Sequence, residues 1–300
     1  MNERFFQYQG LNIRYLDAGA TAPRGSDTSD RALPIVVMLH GWGSNADLFD
    51  RAMDFMAVKY HVVAPDMPGF GKSEEPTTPY DLDDYVDFAV RFTEYILQSD
   101  SKDTKNIQDA MDTVEKDYMP SVIFLGHSHG GRVILRLLSR QARGQNDFAF
   151  KVTKAILTDS AGIVPEKSAK QKKRTARYKR YKALITKTGL AKIAPGLMEK
   201  LQKKYGSADY AAASPVMRQS MVKVVNTDLR AEMPLIRIPV LLIWGDADTA
   251  TPLADGQEME RLMPEAGLAV IPGGTHFCFL ENPNLYNRII GSFLGISFAG

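Results

Sequence analysis

The residues best placed to do chemistry stand in Gly126-His127-Ser128-His129-Gly130-Gly131, a G-x-S-x-G pattern between an apolar run, Ser121 to Leu125, and a helical one, Arg132 to Leu138. A serine that turns sharply from strand to helix sits in strained backbone with its hydroxyl pushed outward. A side chain at Gly126 or Gly130 would collide with the neighbouring chain. Because a serine hydroxyl is a poor nucleophile at neutral pH, the pattern gains meaning only if the chain also supplies a base, an orienting acid and oxyanion donors.

His276 is the base candidate. It follows the short apolar run Ala269-Val270-Ile271-Pro272 on a loop that begins Gly273-Gly274. The other histidines are set differently: His40 and His127 flank motif positions, His61 starts a strand and His129 follows the serine. The acid is expected where the strand Pro239 to Trp244 runs into Gly245-Asp246-Ala247-Asp248. Asp248 is preferred, since Thr249-Ala250-Thr251-Pro252 opens the next helix and leaves it at the loop apex, whereas Asp246 suits a cap on its own turn. Asp246 and Asp159, the latter at the end of the strand Ala155 to Thr158, stand as alternatives. The strand Ile35 to Leu39 ends in His40-Gly41-Trp42-Gly43, and the backbone N–H groups of Trp42 and His129 are the expected oxyanion donors. Gly71-Lys72-Ser73 ends like a phosphate-binding Walker loop, but Asp66 stands where that motif requires glycine, so nucleotide binding is not expected.

Five landmarks, His40-Gly41-Trp42-Gly43, Asp66-Met67-Pro68-Gly69-Phe70-Gly71-Lys72-Ser73, Gly126 to Gly131, Gly245 to Asp248, and His276, resemble in type and order those of the α/β-hydrolase fold. The resemblance covers nearly all of the chain. It implies two-step acyl transfer by a triad of Ser128, His276 and Asp248, with no metal and no organic cofactor. Serine at 128 disfavours the haloalkane dehalogenase and epoxide hydrolase branches, which use aspartate. The leading expectation is hydrolysis of a carboxylic ester of a small or acyl-chain substrate. Carbon–carbon bond hydrolase, lysophospholipase or monoacylglycerol lipase, amidase and perhydrolase chemistry stay open, as does a catalytically silent ligand-binding protein of the same fold.

The elements that must position these residues alternate. Two opening strands precede strands at 34–39, 61–65, 121–125, 154–159, 239–244 and 268–272, with helices at 46–57, 82–97, 129–141, 252–263 and 283–295. Such alternation predicts an α/β architecture, a mostly parallel central sheet with helices on both faces. The expected organisation is a core of 1–162 and 234–300 interrupted by a helical cap at 163–233, which would roof the nucleophile and set substrate choice. Ala20 to Arg31 reads as a loop and Asp100 to Tyr118 as an acidic insertion.

At 300 residues, 44% hydrophobic and 24% charged, the chain can bury one large core. Its apolar runs fall far short of the ~20 residues that cross a bilayer. The opening residues are not expected to act as a signal peptide, and the lone Cys278, flanked by Phe277 and Phe279, reads as a buried structural thiol suited to a reducing cytoplasm. From Glu166 to Lys204 the chain carries fourteen basic residues against two acidic ones, a net +12 in a protein whose total is +2. Near-helical spacing of Tyr178, Tyr181, Leu184, Ile185, Leu190 and Ile193 predicts amphipathic cap helices with these residues inward and the lysines outward. The basic face suits contact with an anionic substrate or a lipid surface. Nucleic acid is not expected, since no binding module is recognised, and the oligomeric state is not legible.

Overall fold

Short apolar strands separated by helices assemble into an eight-stranded sheet in the computed structural model, which describes residues 1–19, 33–103, 119–145, 148–165, 169–188, 196 and 208–297. The expected loop at 20–31, most of the 100–118 insertion, and Leu190 and Ile193 lie outside the described residues. The strands are β1 (Asn2–Tyr8), β2 (Leu11–Ala18), β3 (Ile35–Leu39), β4 (His61–Pro65), β5 (Ser121–His127), β6 (Lys151–Thr158), β7 (Val240–Gly245) and β8 (Ala266–Ile271), in the order β1-β2-β4-β3-β5-β6-β7-β8. β1 and β2 form an antiparallel hairpin and β2 runs antiparallel to β4; every other pairing is parallel. β3 and β4 are buried along their whole length, as parallel strands covered on both faces must be.

Helices α1 (Asp50–Met56), α2 (Leu82–Asp103), α3 (His129–Ala142), α4 (Ala169–Lys187), α5 (Ala208–Ala212), α6 (Pro215–Val225), α7 (Leu253–Leu262), α8 (Cys278–Glu281) and α9 (Pro283–Leu294) follow in chain order. Side chains alternate across the sheet. Val36, Met38, Val62, Ala64, Ile123 and Leu125 meet Met53, Met56, Phe279, Tyr286, Ile290 and Leu294 of α1, α8 and α9, while α3 packs on β3, β5 and β6 and against α2. Among the described residues, no helix is long and apolar enough to cross a membrane.

The expected helix at 46–57 is a 3-10 turn, Ala46–Phe49, followed by α1, because the Asn45 side chain accepts from Asp47 N–H and Ala46 N–H is taken by Asp66. β6 begins earlier than expected, with Lys151 N–H bonded to Pro120 O. The chain divides into two compact units, the second made of Thr77–Asp81 and Val164–Thr227. Residues 228–233, assigned by sequence to the cap, belong to the sheet unit, where Leu229 and Met233 are fully buried and Leu229 N–H bonds Gly162 O. Within the second unit, Ser214 caps α6 through Met217 N–H and Lys223 reaches Pro79 O.

The buried Arg14 of β2 reaches Glu3 at 2.9 Å, Asp47 at 2.5 Å and Asp66 at 3.3 Å. Asp66 is wholly buried and accepts from Ala46 N–H and Lys72 N–H. The Asp66-to-Ser73 segment is therefore a loop closed around its own carboxylate, which leaves no phosphate cradle. A Cβ at Gly71 would lie 2.2 Å from Asp66 Oδ2.

The tightest approach lies at the start of α3, where a Cβ on Gly130 would stand 2.0 Å from the carbonyl oxygen of Leu39. Gly130→Ala is expected to cost about 3 kcal/mol, measured as a lowered urea midpoint with an unchanged slope.

Candidate active site

Parallel register brings the strand ends together: Leu39 faces Gly126, Gly126 faces Leu157, Thr158 faces Ile243 and Gly245 faces Ile271. Strand order reverses at β3, whose neighbours are β4 and β5, and the carboxyl ends at such a reversal form a crevice. Ser128 sits there, half-buried, at φ 51° and ψ −111°. Its N–H donates to Thr158 O, and its carbonyl accepts from Arg132 N–H and Ala161 N–H. Only glycine fits around it, since a Cβ on Gly126 would lie 2.6 Å from Gly131 N and one on Gly131 2.1 Å from Ser160 Oγ.

The loops after β7 and β8 are joined by Ala247 N–H to Gly274 O at 2.9 Å. On them His276 Nδ1 lies 2.8 Å from Asp248 Oδ2, so the Nδ1 proton points at the carboxylate and Nε2 is left available. Asp248 is buried and also accepts from Ala250 N–H, Thr251 N–H and the Thr251 hydroxyl. Burial alone would raise its pKa; the hydrogen bonds from His276 and Thr251 outweigh it and hold the carboxylate below its usual range. Thr251 carries no motif, and sequence reasoning passed over it. Its hydroxyl lies 2.7 Å from Asp248, 3.0 Å from Asp159 O and 3.2 Å from His276 Nδ1.

Neither alternative acid is bonded to the His276 ring. Asp246 is exposed and accepts from Gly273 N–H, so it staples the β7 loop to the β8 loop instead of capping its own turn. Asp159 is fully buried at φ 43°, its Oδ1 accepting from Gly245 N–H. Cys278 is buried as expected, although Phe277 is exposed, and its thiol lies near Asp159. Burial raises the thiol pKa, so Cys278 is held as the inert thiol.

His127 and His40 act as structural donors and acceptors. His127 Nε2–H donates to His276 O at 2.7 Å, which ties the residue before Ser128 to the loop of His276. Burial and the neighbouring His276 lower its pKa to about 3, so the ring is neutral. His40 Nδ1–H donates to Gly41 O, and its Nε2 accepts from Met67 N–H. That bond pair fixes the backbone leading to Trp42, and a Cβ on Gly41 would stand 3.3 Å from Ser128 Cβ. The Trp42 ring meets Phe70 and His129 edge-on at 4.9 and 5.3 Å, and Tyr85 meets His129 at 4.9 Å. Among the described residues no group of three His, Cys, Asp or Glu side chains could hold a metal ion.

This arrangement sets Ser128 on the strand-end turn beside loops on which a buried carboxylate orients an imidazole. The chain belongs to the alpha/beta hydrolase family, whose model matches residues 36–289. It is 24% identical over 270 residues to the AB hydrolase superfamily protein YisY of Bacillus subtilis, covering 86% of this chain and 90% of that one. It is 25% identical over 309 residues to a non-heme chloroperoxidase of Streptomyces lividans, covering 95% and 96%. The fold resembles that of a crystallised bacterial membrane phospholipase A described as a virulence factor, with a TM-score of 0.66 at 21% identity over 98% of this chain and 86% of that one.

Asp159 supplies a pH test. Burial pushes its carboxyl up to about 6, against the Cys278 thiol and Gly245 N–H, which lower it. An unfolded aspartate titrates near ~3.9, so the folded state holds an extra proton between the two values. Stability then falls as pH rises through that window and levels off above it. Asp159→Asn keeps the acceptor for Gly245 N–H. It is expected to remove the slope, gaining roughly 3 kcal/mol over the parent at about pH 8 and approaching it at about pH 4, read by urea unfolding.

Proposed function

We propose that this chain is a serine hydrolase that cleaves a carboxylic ester of a small or acyl-chain substrate through an acyl-enzyme. The observation that carries this reading is Ser128, in left-handed backbone on the turn from β5 to α3, adjoining the loops after β7 and β8 on which Asp248 and His276 are paired at 2.8 Å. His276 Nε2 takes the Ser128 proton as Oγ bonds to the ester carbonyl carbon. The amides of Trp42 and His129 receive the oxyanion, each contributing about 2.7 to 4 kcal/mol. His276 returns the proton to the departing alcohol as the ester C–O bond breaks. It then deprotonates the water that attacks the acyl-serine, releasing the acid and restoring Ser128. Asp248 stays ionised and stabilises the imidazolium. The buried thiol of Cys278 supports a reducing, cytoplasmic setting.

The likeness to a non-heme chloroperoxidase supports a second reading on the same serine. Hydrogen peroxide replaces water in the second step and leaves with the acyl group as a peracid. Binding without turnover is the remaining alternative.

Fluorophosphonate labelling located by mass spectrometry, joined to hydrolysis of p-nitrophenyl esters from acetate to palmitate, tests the proposal. Label is expected on Ser128. Ser128→Ala and His276→Ala should each lower kcat on the order of 10⁴-fold or more, with Asp248→Asn comparable. Asp246→Ala should stay within a few-fold of the parent, since it touches neither partner. Thr251→Val should lose roughly tenfold in kcat while Thr251→Ser keeps it. A parent that takes no label and turns over no ester would assign the chain to ligand binding, and peracid formation with added peroxide would select the second reading.

A further inference from the structure

Helix α4 carries nine basic residues and no acidic one in its 19 positions. Lys173, Arg177, Arg180, Leu184 and Lys187 recur at steps of four and three, so they share one stripe, with Tyr181 beside it. All six are exposed, Tyr181 at 48% and Leu184 at 54%. The packed side of the helix is supplied by Ile185, which is buried, and by Tyr178, half-buried and bonded to Tyr210. Tyr181 and Leu184, inward by periodicity, therefore stand in solvent among cations.

No carboxylate among the described residues pairs with Lys173, Arg177, Arg180 or Lys187. Like charges at i,i+4 and i,i+3 work against the helix, and the stripe extends over about 21 Å. A dense negative surface would relieve that repulsion. A solvated face tolerates an exposed leucine and tyrosine, as α6 does Val222 and Val225, without putting them to use. A helix lying on a membrane uses them, because its apolar side chains enter the headgroup boundary while Lys and Arg stems extend back to the phosphates.

We propose that this stripe docks the protein on an anionic phospholipid surface. Lys173, Arg177, Arg180 and Lys187 meet headgroup phosphates, and Tyr181 and Leu184 enter the edge of the acyl layer. Docking is independent of hydrolysis and is read without turnover.

The test is co-sedimentation of the full chain with large vesicles of phosphatidylcholine, alone or with about a third phosphatidylglycerol. Binding is expected to the anionic vesicles only, and to be lost at about 0.5 M salt. The triple variant Lys173→Gln, Arg177→Gln, Arg180→Gln should lose on the order of a hundredfold in partitioning, roughly fivefold per cation. The double variant Tyr181→Ser, Leu184→Ser should lose about tenfold or more. Both variants should keep the parent's circular dichroism and its turnover of a soluble ester, since all five positions are exposed. Equal binding to neutral and anionic vesicles, binding to neither, or indifference to both variants would overturn the proposal. Tighter capture of a single-stranded oligonucleotide than of vesicles, unchanged by the double variant, would reassign the stripe to nucleic acid.

Discussion

Backbone packed directly on backbone at the end of β5 is the constraint on which the site depends. Gly130 abuts the end of β3, Gly131 abuts Ser160 after β6, and Gly126 abuts the first turn of α3. Three segments distant in sequence, the ends of β3 and β6 and the turn from β5 to α3, thereby converge on Ser128. Left-handed backbone at a serine stores roughly 1 to 3 kcal/mol, and it persists only where the surroundings over-determine it. Here the amide and carbonyl of Ser128 are both engaged, by Thr158 on one side and by Arg132 and Ala161 on the other.

Two buried carboxylates near His276 are driven in opposite directions by their surroundings. Asp248 receives two amides, a hydroxyl and the imidazole, and stays ionised. Asp159 receives Gly245 N–H on one oxygen and, among the described residues, has no hydrogen-bond partner on the other, too little to offset its burial. Division of labour between paired acids commonly arises this way, from the count of donors around each group. Thr251 links the two, because one hydroxyl lies within reach of the Asp248 carboxylate and the Asp159 carbonyl.

Much of this was legible in the chain. The strands and helices follow from period and from glycine and proline punctuation. The G-x-S-x-G turn is readable because its spacing expresses a steric requirement and not a preference. What stayed hidden depends on register and on partners. Asp246 looks like a turn cap until β8 is laid beside β7 and Gly273 N–H arrives next to it. Thr251 reads as a helix start, since nothing local reveals where the Asp248 side chain points. Leu229 and Met233 have the composition of an insertion's edge, yet they fill the sheet unit's core. Tyr181 and Leu184 show that periodicity reports which side chains share a face and is silent on what that face meets.

The bond from His127 to the carbonyl of His276 joins residues 149 positions apart. During synthesis, β3, β5 and the serine turn are made long before the loop that carries His276, and Asp248 too lies well beyond the serine. A growing chain can thus bury most of its sheet while Ser128 has neither His276 nor Asp248 beside it. The site is completed late and all at once, when β7 and β8 add to the growing edge of the sheet, so partly made or truncated chains lack it.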